Sequence, residues 1–382
     1  MKILQILCIF ASLFPITFCG LAVLAGGDVG GTLVEIYQAF IEQASRGGRK
    51  PYIGVITAGV TWSTAQSIAN GIVYRFKSVY GVENVEWLPF HVSNGNICTS
   101  SSLNSKLRSM TGIYINGGDT ELITDCLFPN GRITSALSVI QDRYHSNSLA
   151  VFASSAGVLA LQSDSIIGPR ESWSAIHYGA SYDSLGGFDL FSYGFLDVHF
   201  SQRGRQGRLI RLTLDRRQES TKGFGIDEST AMVVDGGRFK VIGANAVYIV
   251  HVNEASIISG KRFAVNSVKV SRLTDGDSYS FNTGTITWGS SKSTLTSSRQ
   301  SNVSARTSSD LFSPNMFATI STGLFKSKIS ASTFGLTSEV YPKYRVSMRK
   351  TSTSGGAIGT RNGLDVVSYR NMYADISCYS NC

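Results

Sequence analysis

Short apolar runs alternate with longer amphipathic stretches along the first half of the chain. The apolar runs predict β-strands at residues 21–25, 52–57, 85–89, 112–115 and 148–152. The amphipathic stretches predict helices at residues 33–44, 63–80, 120–128 and 133–144. Strands that alternate with helices in this way form mostly parallel sheets with helices on both faces. The pattern therefore predicts an α/β fold.

The pattern changes near residue 230, where short strands separated by turns replace the strand–helix alternation. These strands are predicted at residues 232–235, 238–242, 246–250 and 263–273. They predict an antiparallel extension of the same domain, which would span residues 21–280. Residues 281–310 are rich in serine and threonine and have little apolar periodicity, which indicates a loop or linker. Residues 311–382 contain only scattered strand-like runs, such as 344–348, so the fold and role of this C-terminal extension stay open.

The first 20 residues have the pattern of a secretory signal peptide. Lys2 supplies a positive charge, and residues 3–18 are almost wholly apolar but too short for a confident membrane span. Small residues lie near the expected cleavage point, at Cys19 or Gly20. No later segment has 18 uninterrupted apolar residues. We therefore expect a secreted, extracellular protein whose mature form has no membrane segment.

Four cysteines remain after the predicted cleavage: Cys98, Cys126, Cys378 and Cys382. In a secreted chain they allow two disulfides and three pairings. A local bridge between Cys378 and Cys382 would leave Cys98 for Cys126, and the spacing does not resemble a zinc site. Asn302 begins the only N-glycosylation sequon, in a serine- and threonine-rich stretch that would tolerate a glycan.

The chain is basic, with 35 Lys and Arg against 26 Asp and Glu and a formal net charge of +9. Such a balance suits a nucleic acid, an anionic surface or an acidic substrate. The densest basic run, residues 203–217, lacks the aromatic interleaving of a nucleic-acid site, so no nucleic-acid partner is expected. A guanidinium group holds a carboxylate well. Arg205 and Arg208 are therefore candidates for binding an acidic group, and the other arginines of the run are assigned to a solvated helix face.

A serine at a strand-to-helix corner is the first chemical candidate. The strand at residues 148–152 runs into small residues and then into a helix that starts near Val158. Ser155 lies between Ala153 and Gly157, at minus two and plus two, which follows the logic of a nucleophile elbow. The alternative is that the small residues serve only strand–helix packing.

A serine nucleophile needs a base and an orienting acid. His199 follows an apolar run and precedes a polar, glycine-containing segment and a helix at residues 209–214, so it is the candidate base at a strand end. Asp227 and Glu228 are adjacent candidates for the acid, with side chains on opposite sides of an extended backbone. The pattern alone leaves the choice between them open. The other histidines are assigned structural or exposed positions: His91, His145, His177 and His251.

Several of these segments together resemble the cyanophycinase and aspartyl dipeptidase family of serine peptidases. The resemblance is carried by Leu-Ala-Val-Leu-Ala-Gly-Gly at 21–27, Gly-Gly-Asp at 117–119, Ser-Ala-Gly at 155–157, Asp-Val-His-Phe-Ser-Gln-Arg-Gly-Arg at 197–205 and Gly-Ile-Asp-Glu at 225–228. It covers roughly residues 21–280 and is much weaker beyond them.

The resemblance implies a three-layer α/β sandwich similar to class I glutamine amidotransferases, with a Ser-His-Glu triad. Ser155 would be the nucleophile, His199 the general base and Glu228 the acid. The backbone N–H groups of Ala156 and Gly118 would form the oxyanion hole. The implied substrate-binding residues are Asp119, Asp197, Arg205 and Arg208. The family implies no metal or organic cofactor and an aspartyl-containing peptide or polymer as substrate, while a homodimer is one oligomeric state left open.

Two positions depart from the family pattern. Thr120 replaces the glutamine of Gly-Gly-Asp-Gln, and Val198 replaces the glutamine of Asp-Gln-His. Both glutamines are associated with substrate binding, so the departures favour hydrolysis with altered specificity. The leading hypothesis is a secreted serine-type peptidase acting on aspartyl or β-aspartyl bonds. The alternative is a catalytically inactive extracellular binding or matrix protein on the same fold.

Overall fold

The structure is a computed structural model that describes residues 19–29 and 33–382. The predicted signal peptide lies outside the described residues apart from Cys19 and Gly20, which begin the first strand. In the described part of the chain, no helix is long and apolar enough to cross a membrane.

Strands and helices alternate through the first half of the chain, as the sequence predicts. The elements are β1 Cys19–Ala25, α1 Val34–Ala44, β2 Tyr52–Ile56, α2 Trp62–Tyr74, β3 Asn84–Leu88, α3 Ser101–Ser109, β4 Gly112–Ile115, α4 Thr120–Leu127, α5 Ser135–His145 and β5 Ser146–Ser154. A π-helical turn, Arg75–Val79, follows α2, and short 3-10 turns span Gly95–Thr99 and Pro129–Gly131. Helix α3 is absent from the sequence prediction because only Leu103 and Leu107 form its buried face.

The second half of the chain contains more strand than helix. Its first elements are α6 Ala156–Leu159, β6 Ile166–Ile167, α7 Ser172–Tyr178, β7 Tyr182–Asp183, β8 Phe195–Val198, α8 Gln206–Asp215, β9 Lys222–Ile226, β10 Thr230–Asp235, β11 Arg238–Gly243 and β12 Ala246–His251. The remaining elements are β13 Ser256–Ile257, β14 Val265–Thr274, β15 Ser278–Ser280, β16 Ile286–Thr287, β17 Ser293–Thr294, α9 Met316–Lys326, β18 Ser332–Leu336, β19 Lys343–Arg349, β20 Gly355–Arg361 and β21 Leu364–Ser380.

The first sheet has nine strands in the order β16-β15-β11-β10-β1-β5-β4-β2-β3. Strands β1, β5, β4, β2 and β3 run parallel to one another. The strands beyond β1 are antiparallel. All the parallel strands end at the same edge, which is where open α/β sheets bind ligands. The α/β fold predicted from the sequence is confirmed.

Both faces of the parallel strands are buried. Val23 and Phe152 pack with Phe40 of α1 on one face. The alternate residues Leu24 and Ala153 belong to the cluster on the other face, with Leu137 of α5 among its members. Burial on both faces explains why these strands appear in the sequence as continuous apolar runs.

A second sheet has ten strands, with the main order β17-β20-β21-β14-β12-β9-β8. Strands β8 and β9 are parallel, and the long strand β21 pairs with β14, β19 and β20 in antiparallel fashion. Residues 311–382, whose fold the sequence leaves open, therefore contribute strands to the same sheet as β8, β9, β12 and β14. The sequence predicts strands in this part of the chain but not their division between two sheets, because β14 and β21 are far apart in the chain.

The structure contains both disulfides favoured by the sequence, Cys98–Cys126 and Cys378–Cys382, with Cα–Cα distances of 5.6 Å and 5.9 Å. The first joins the 3-10 turn before α3 to helix α4. The second closes a short loop at the end of β21. Asn302 is exposed between β17 and α9, where its side chain is accessible.

Candidate active site

Ser155 occupies a sharp turn between β5 and α6. Its φ of 53° and ψ of −123° lie outside the usual regions for a residue with a side chain, so the surrounding structure must hold it there. Its backbone N–H donates a hydrogen bond to the Ala25 carbonyl oxygen at 3.0 Å. Gly117 leaves room for it, since a Cβ atom there would lie 2.8 Å from the Ser155 Cβ. The corner predicted from the small residues is present.

His199 reaches Ser155 from the second sheet. It directly follows β8, with a φ of 49°, and its backbone N–H donates to the Gly26 carbonyl oxygen at 2.8 Å. Its Nε2 atom lies 2.6 Å from the Ser155 Oγ atom. Gly27 lies against the imidazole ring, and a Cβ atom there would overlap it. The two sheets thus meet at the Ser155–His199 contact.

Glu228 completes a row of three side chains. Its Oε1 atom lies 2.6 Å from His199 Nδ1. A carboxylate only accepts hydrogen bonds, so this contact places the imidazole hydrogen on Nδ1 and leaves Nε2 free to accept the hydrogen of Oγ. The Glu228 backbone is also held, because its N–H donates to the Gln202 Oε1 atom at 2.9 Å and its carbonyl oxygen accepts from Asn245 Nδ2 at 2.8 Å.

Asp227 faces the other way. It is buried, and its two carboxylate oxygens accept the backbone N–H groups of Ser201 at 2.8 Å and Ala246 at 3.2 Å. Burial raises the pKa of Asp227 to about 6. The geometry therefore selects Glu228, rather than Asp227, as the partner of His199.

The surroundings of His199 favour its neutral form. Burial lowers its pKa below the ordinary value of 6.5, and the hydrogen bond to Glu228 opposes this shift. The positive charges of Arg203 and Arg205 lower the pKa further. A neutral imidazole at neutral pH is the form that can accept a proton from Ser155.

A cavity of about 630 Å³ opens beside Ser155 and His199. The two predicted oxyanion donors, Ala156 and Gly118, line it. Ala156 is the first residue of α6, so its N–H has no partner within the helix. The described residues provide no hydrogen-bond partner for the Gly118 N–H. Both groups are thus available to an oxyanion that forms in the cavity.

Two of the predicted binding residues form one ion pair in the cavity wall. Arg208 donates from Nε to Asp197 Oδ2 at 2.8 Å and from Nη2 to Asp197 Oδ1 at 2.5 Å. Arg208 lines the cavity, whereas Asp197 is fully buried behind it. Asp197 thus contacts the arginines, and only the arginines face the cavity.

The guanidinium group of Arg205 has weaker hydrogen-bond and ion-pair partners than that of Arg208. It donates to the Val198 carbonyl oxygen at 2.8 Å, and its Nη1 atom lies 3.5 Å from Asp197 Oδ1. Its Nε atom is buried without a hydrogen-bond partner in the described structure. Burial lowers the pKa of Arg205 to about 10. A buried cation that lacks a full set of partners favours an anionic group in the adjoining cavity.

The cavity also contains residues that the sequence pattern does not single out. Arg203, assigned above to a solvated helix face, is exposed, precedes α8 and lines the cavity. Its position three residues before α8, rather than within it, is the signal that could have identified it. Strands β6 and β7 form an antiparallel pair that lines the cavity, and their two-residue lengths explain why they escape prediction.

The remaining predicted positions also line the cavity. Asp119 caps the N-terminus of α4, where its Oδ1 atom accepts the Glu121 N–H at 2.9 Å, and it also lines the cavity. Thr120 and Val198, which depart from the family pattern, line the cavity as well. Among the described residues, no group of histidine, cysteine or carboxylate side chains could hold a metal ion.

The model of peptidase family S51 matches residues 21–242. The chain belongs to peptidase family S51. This confirms the resemblance inferred from the sequence and places the chain among the peptidases, which are hydrolases.

Individual relatives agree with this assignment. The chain is 27% identical over 252 residues to the cyanophycinases of Trichormus variabilis and of a Nostoc species, and each match covers 64% of this chain and 80% of the relative. A crystal structure of a peptidase from an acI-B1 actinobacterium matches with a TM-score of 0.52 and 19% identity. That match covers 69% of this chain and 98% of the other, and it supports the fold.

Proposed function

We propose that the protein is a secreted serine-type peptidase that hydrolyses aspartyl or β-aspartyl peptide bonds. Ser155 is the nucleophile, His199 the general base and Glu228 the acid. The observation that carries the proposal is the row of contacts from Ser155 Oγ through the His199 imidazole to Glu228 Oε1, with both distances at 2.6 Å. The strained backbone of Ser155 supports it, because such strain is maintained mainly at functional sites.

The geometry suits acyl transfer. Ser155 Oγ attacks the carbonyl carbon of the scissile bond while its proton passes to His199 Nε2, and Glu228 stabilises the resulting imidazolium. The carbonyl oxygen of the substrate becomes negatively charged and accepts hydrogen bonds from the N–H groups of Ala156 and Gly118. The imidazolium then protonates the leaving amine, which leaves an ester on Ser155. Water, activated by the same imidazole, hydrolyses that ester.

The charge of the cavity supports an acidic residue on the acyl side of the bond. Arg205, with its incomplete set of partners, and the exposed Arg203 both face the space beside Ser155. A carboxylate there would gain charge-assisted hydrogen bonds. Two relatives are named cyanophycinase, which agrees with aspartyl chemistry. Thr120 and Val198 offer fewer hydrogen bonds than the glutamines of the family pattern, so we propose short aspartyl peptides rather than an aspartyl polymer as substrates.

The proposal also includes secretion, glycosylation and the three-layer form of the fold. The signal-like residues 1–20 and the two disulfides support an oxidising compartment. An exposed Asn302 suits glycosylation there. Helices on both faces of the first sheet support a three-layer sandwich of the class I glutamine amidotransferase type.

Covalent labelling with a serine-hydrolase probe, together with hydrolysis of α- and β-aspartyl dipeptides, tests the proposal. We expect labelling at Ser155 and turnover of the dipeptides, both abolished in Ser155→Ala. Ser154→Ala is the matched control, since the neighbouring Ser154 is buried at the end of β5. Turnover that persists in Ser155→Ala would contradict the assignment. Binding of the dipeptides by the unaltered protein without any turnover or labelling would instead favour the inactive binding protein.

A further inference from the structure

A second cavity, of about 460 Å³, lies where residues 227–272 meet the C-terminal part of the chain. It shares no lining residue with the cavity beside Ser155. Helix α9 and the β20–β21 turn supply one side, and Asp227, Asn245 and Arg272 line it as well. Most of its lining residues lie beyond residue 242, where the family match ends.

Arg272 provides an unused donor in this cavity. From β14, its Nε atom donates to the Tyr248 hydroxyl at 3.0 Å, and Nη1 donates to the Val367 carbonyl oxygen. Within the described residues, Nη2 has no hydrogen-bond partner and the guanidinium forms no ion pair with a carboxylate. The buried Asp227 carboxylate attracts the guanidinium without forming a direct ion pair, and its own oxygens accept backbone N–H groups. Nη2 is therefore left without an acceptor of its own.

The other cations of the cavity are already paired. Lys326 lies 3.0 Å from Asp365, and Arg361 contacts both Glu35 and Asp275. In the described part of the wall, Arg272 is therefore the cation left for a ligand. Asp227 and Asp365 also line the cavity, and Asp365 is the partner of Lys326. The uncharged polar lining consists of amides and hydroxyls, which bind small polar molecules: Asn245, Asn315, Asn362, Thr319 and Thr322.

We propose that this second cavity binds a small carboxylate of amino-acid to dipeptide size, with the carboxylate on Nη2 of Arg272. The cavity volume suits a molecule of this size. The inference does not depend on the proposed hydrolysis, since binding here requires neither Ser155 nor His199.

Isothermal titration calorimetry of the mature chain with L-aspartate tests the proposal. The titrations use an Arg205→Gln background, which removes the poorly compensated cation of the first cavity. We expect saturable binding in this background and binding weaker by about tenfold or more when Arg272→Gln is added, because a charge-assisted hydrogen bond is lost. The diamide of aspartic acid, which has no carboxylate, should not bind. Absence of saturable L-aspartate binding, or equal binding with and without Arg272→Gln, would overturn the proposal.

A second variant tests the proposal even if Arg272→Gln fails to fold. Thr319 is exposed on α9 and lines the cavity, so Thr319→Trp fills the space and leaves Arg272 intact. We expect this variant to unfold at the same temperature as its background and to lose L-aspartate binding. Normal binding by folded Thr319→Trp would overturn the proposal. Ser155→Ala should bind as its background does, so failure of hydrolysis and failure of binding are separate results.

Discussion

Replacement of Glu228 by glutamine tests whether the carboxylate sets the protonation of His199. The substitution keeps the size of the side chain and removes its charge. Glu228 accepts from His199 Nδ1 at 2.6 Å, which leaves Nε2 as the acceptor facing Ser155. A glutamine amide can instead donate to Nδ1, which moves the imidazole hydrogen to Nε2. Ser155 would then face a donor and lose its base.

The magnitude follows from the exposure of the carboxylate. In a Ser-His-Asp triad, the corresponding amide substitution lowers kcat by about 10⁴. The Glu228 side chain is 27% exposed, so water competes for it and weakens its effect. We therefore expect kcat to fall by roughly 10²–10³, or about 3–4 kcal/mol in transition-state free energy. KM should change little, because Glu228 does not line the cavity beside Ser155.

Initial rates on an aspartyl dipeptide, with kcat and KM determined separately, provide the assay. Asp227→Asn is the matched control, since it makes the same chemical change one residue away and does not contact His199. We expect this control to keep kcat within about threefold of the unaltered enzyme. Equal losses in the two variants, or a Glu228→Gln enzyme within threefold of normal, would refute the argument.

Three further predictions concern the same neighbourhood. Gly27→Ala should lower kcat by about tenfold or more, because a Cβ atom would overlap the His199 ring; Gly47→Ala, where φ is 76° and space is open, controls for backbone strain, and equal losses would contradict the steric argument. Arg203→Gln should raise the pKa of His199, so the acid limb of the kcat/KM profile should move to higher pH, and an unmoved limb would count against this. Asp227 has a pKa raised from 3.8 to about 6, so its stabilising contribution is present below about pH 4 and is lost as pH rises through about 6. Urea unfolding measures the free energy of unfolding at pH 4 and at pH 7. The difference between the two values should be about 3 kcal/mol smaller in Asp227→Asn than in the unaltered protein, and the same difference in both proteins would contradict this prediction.

Much of the parallel sheet was predictable because it leaves a strong local signal. Strands buried on both faces need apolar residues at every position, as in residues 21–25 and 148–152. The Ser155 corner was predictable for a similar reason, since a tight turn against other backbone requires small neighbours. The alternation of an extended chain also placed Asp227 and Glu228 on opposite sides. It did not show which of them faces His199, because that depends on the pairing of β9 with β8 and β12.

The missed features depend on contacts between distant parts of the chain. Strand β21 joins β14 through a pairing that no local pattern encodes. Strands β6 and β7 have two residues each, too few for a period to show. Arg203 looked like part of a helical basic run because its position before α8 is not visible from charge alone. The partners of Asp197 and Arg208 likewise became clear only once β8 and α8 were packed together.

The C-terminal residues contact the loop between β8 and α8. These contacts bear on which residues a shortened version of the protein must keep. The Asn315 N–H donates to the Ser201 carbonyl oxygen at 2.7 Å, and a side chain at Gly204 would overlap the backbone of Phe312. The family match ends at residue 242, well before these contacts. We therefore expect a fragment that ends at residue 242 to lose contacts that hold the loop between β8 and α8. Shortened or fused enzymes made from this chain should keep residues 243–382. Cutting the chain at residue 242 would remove the contacts that support the loop carrying Arg203 and Arg205.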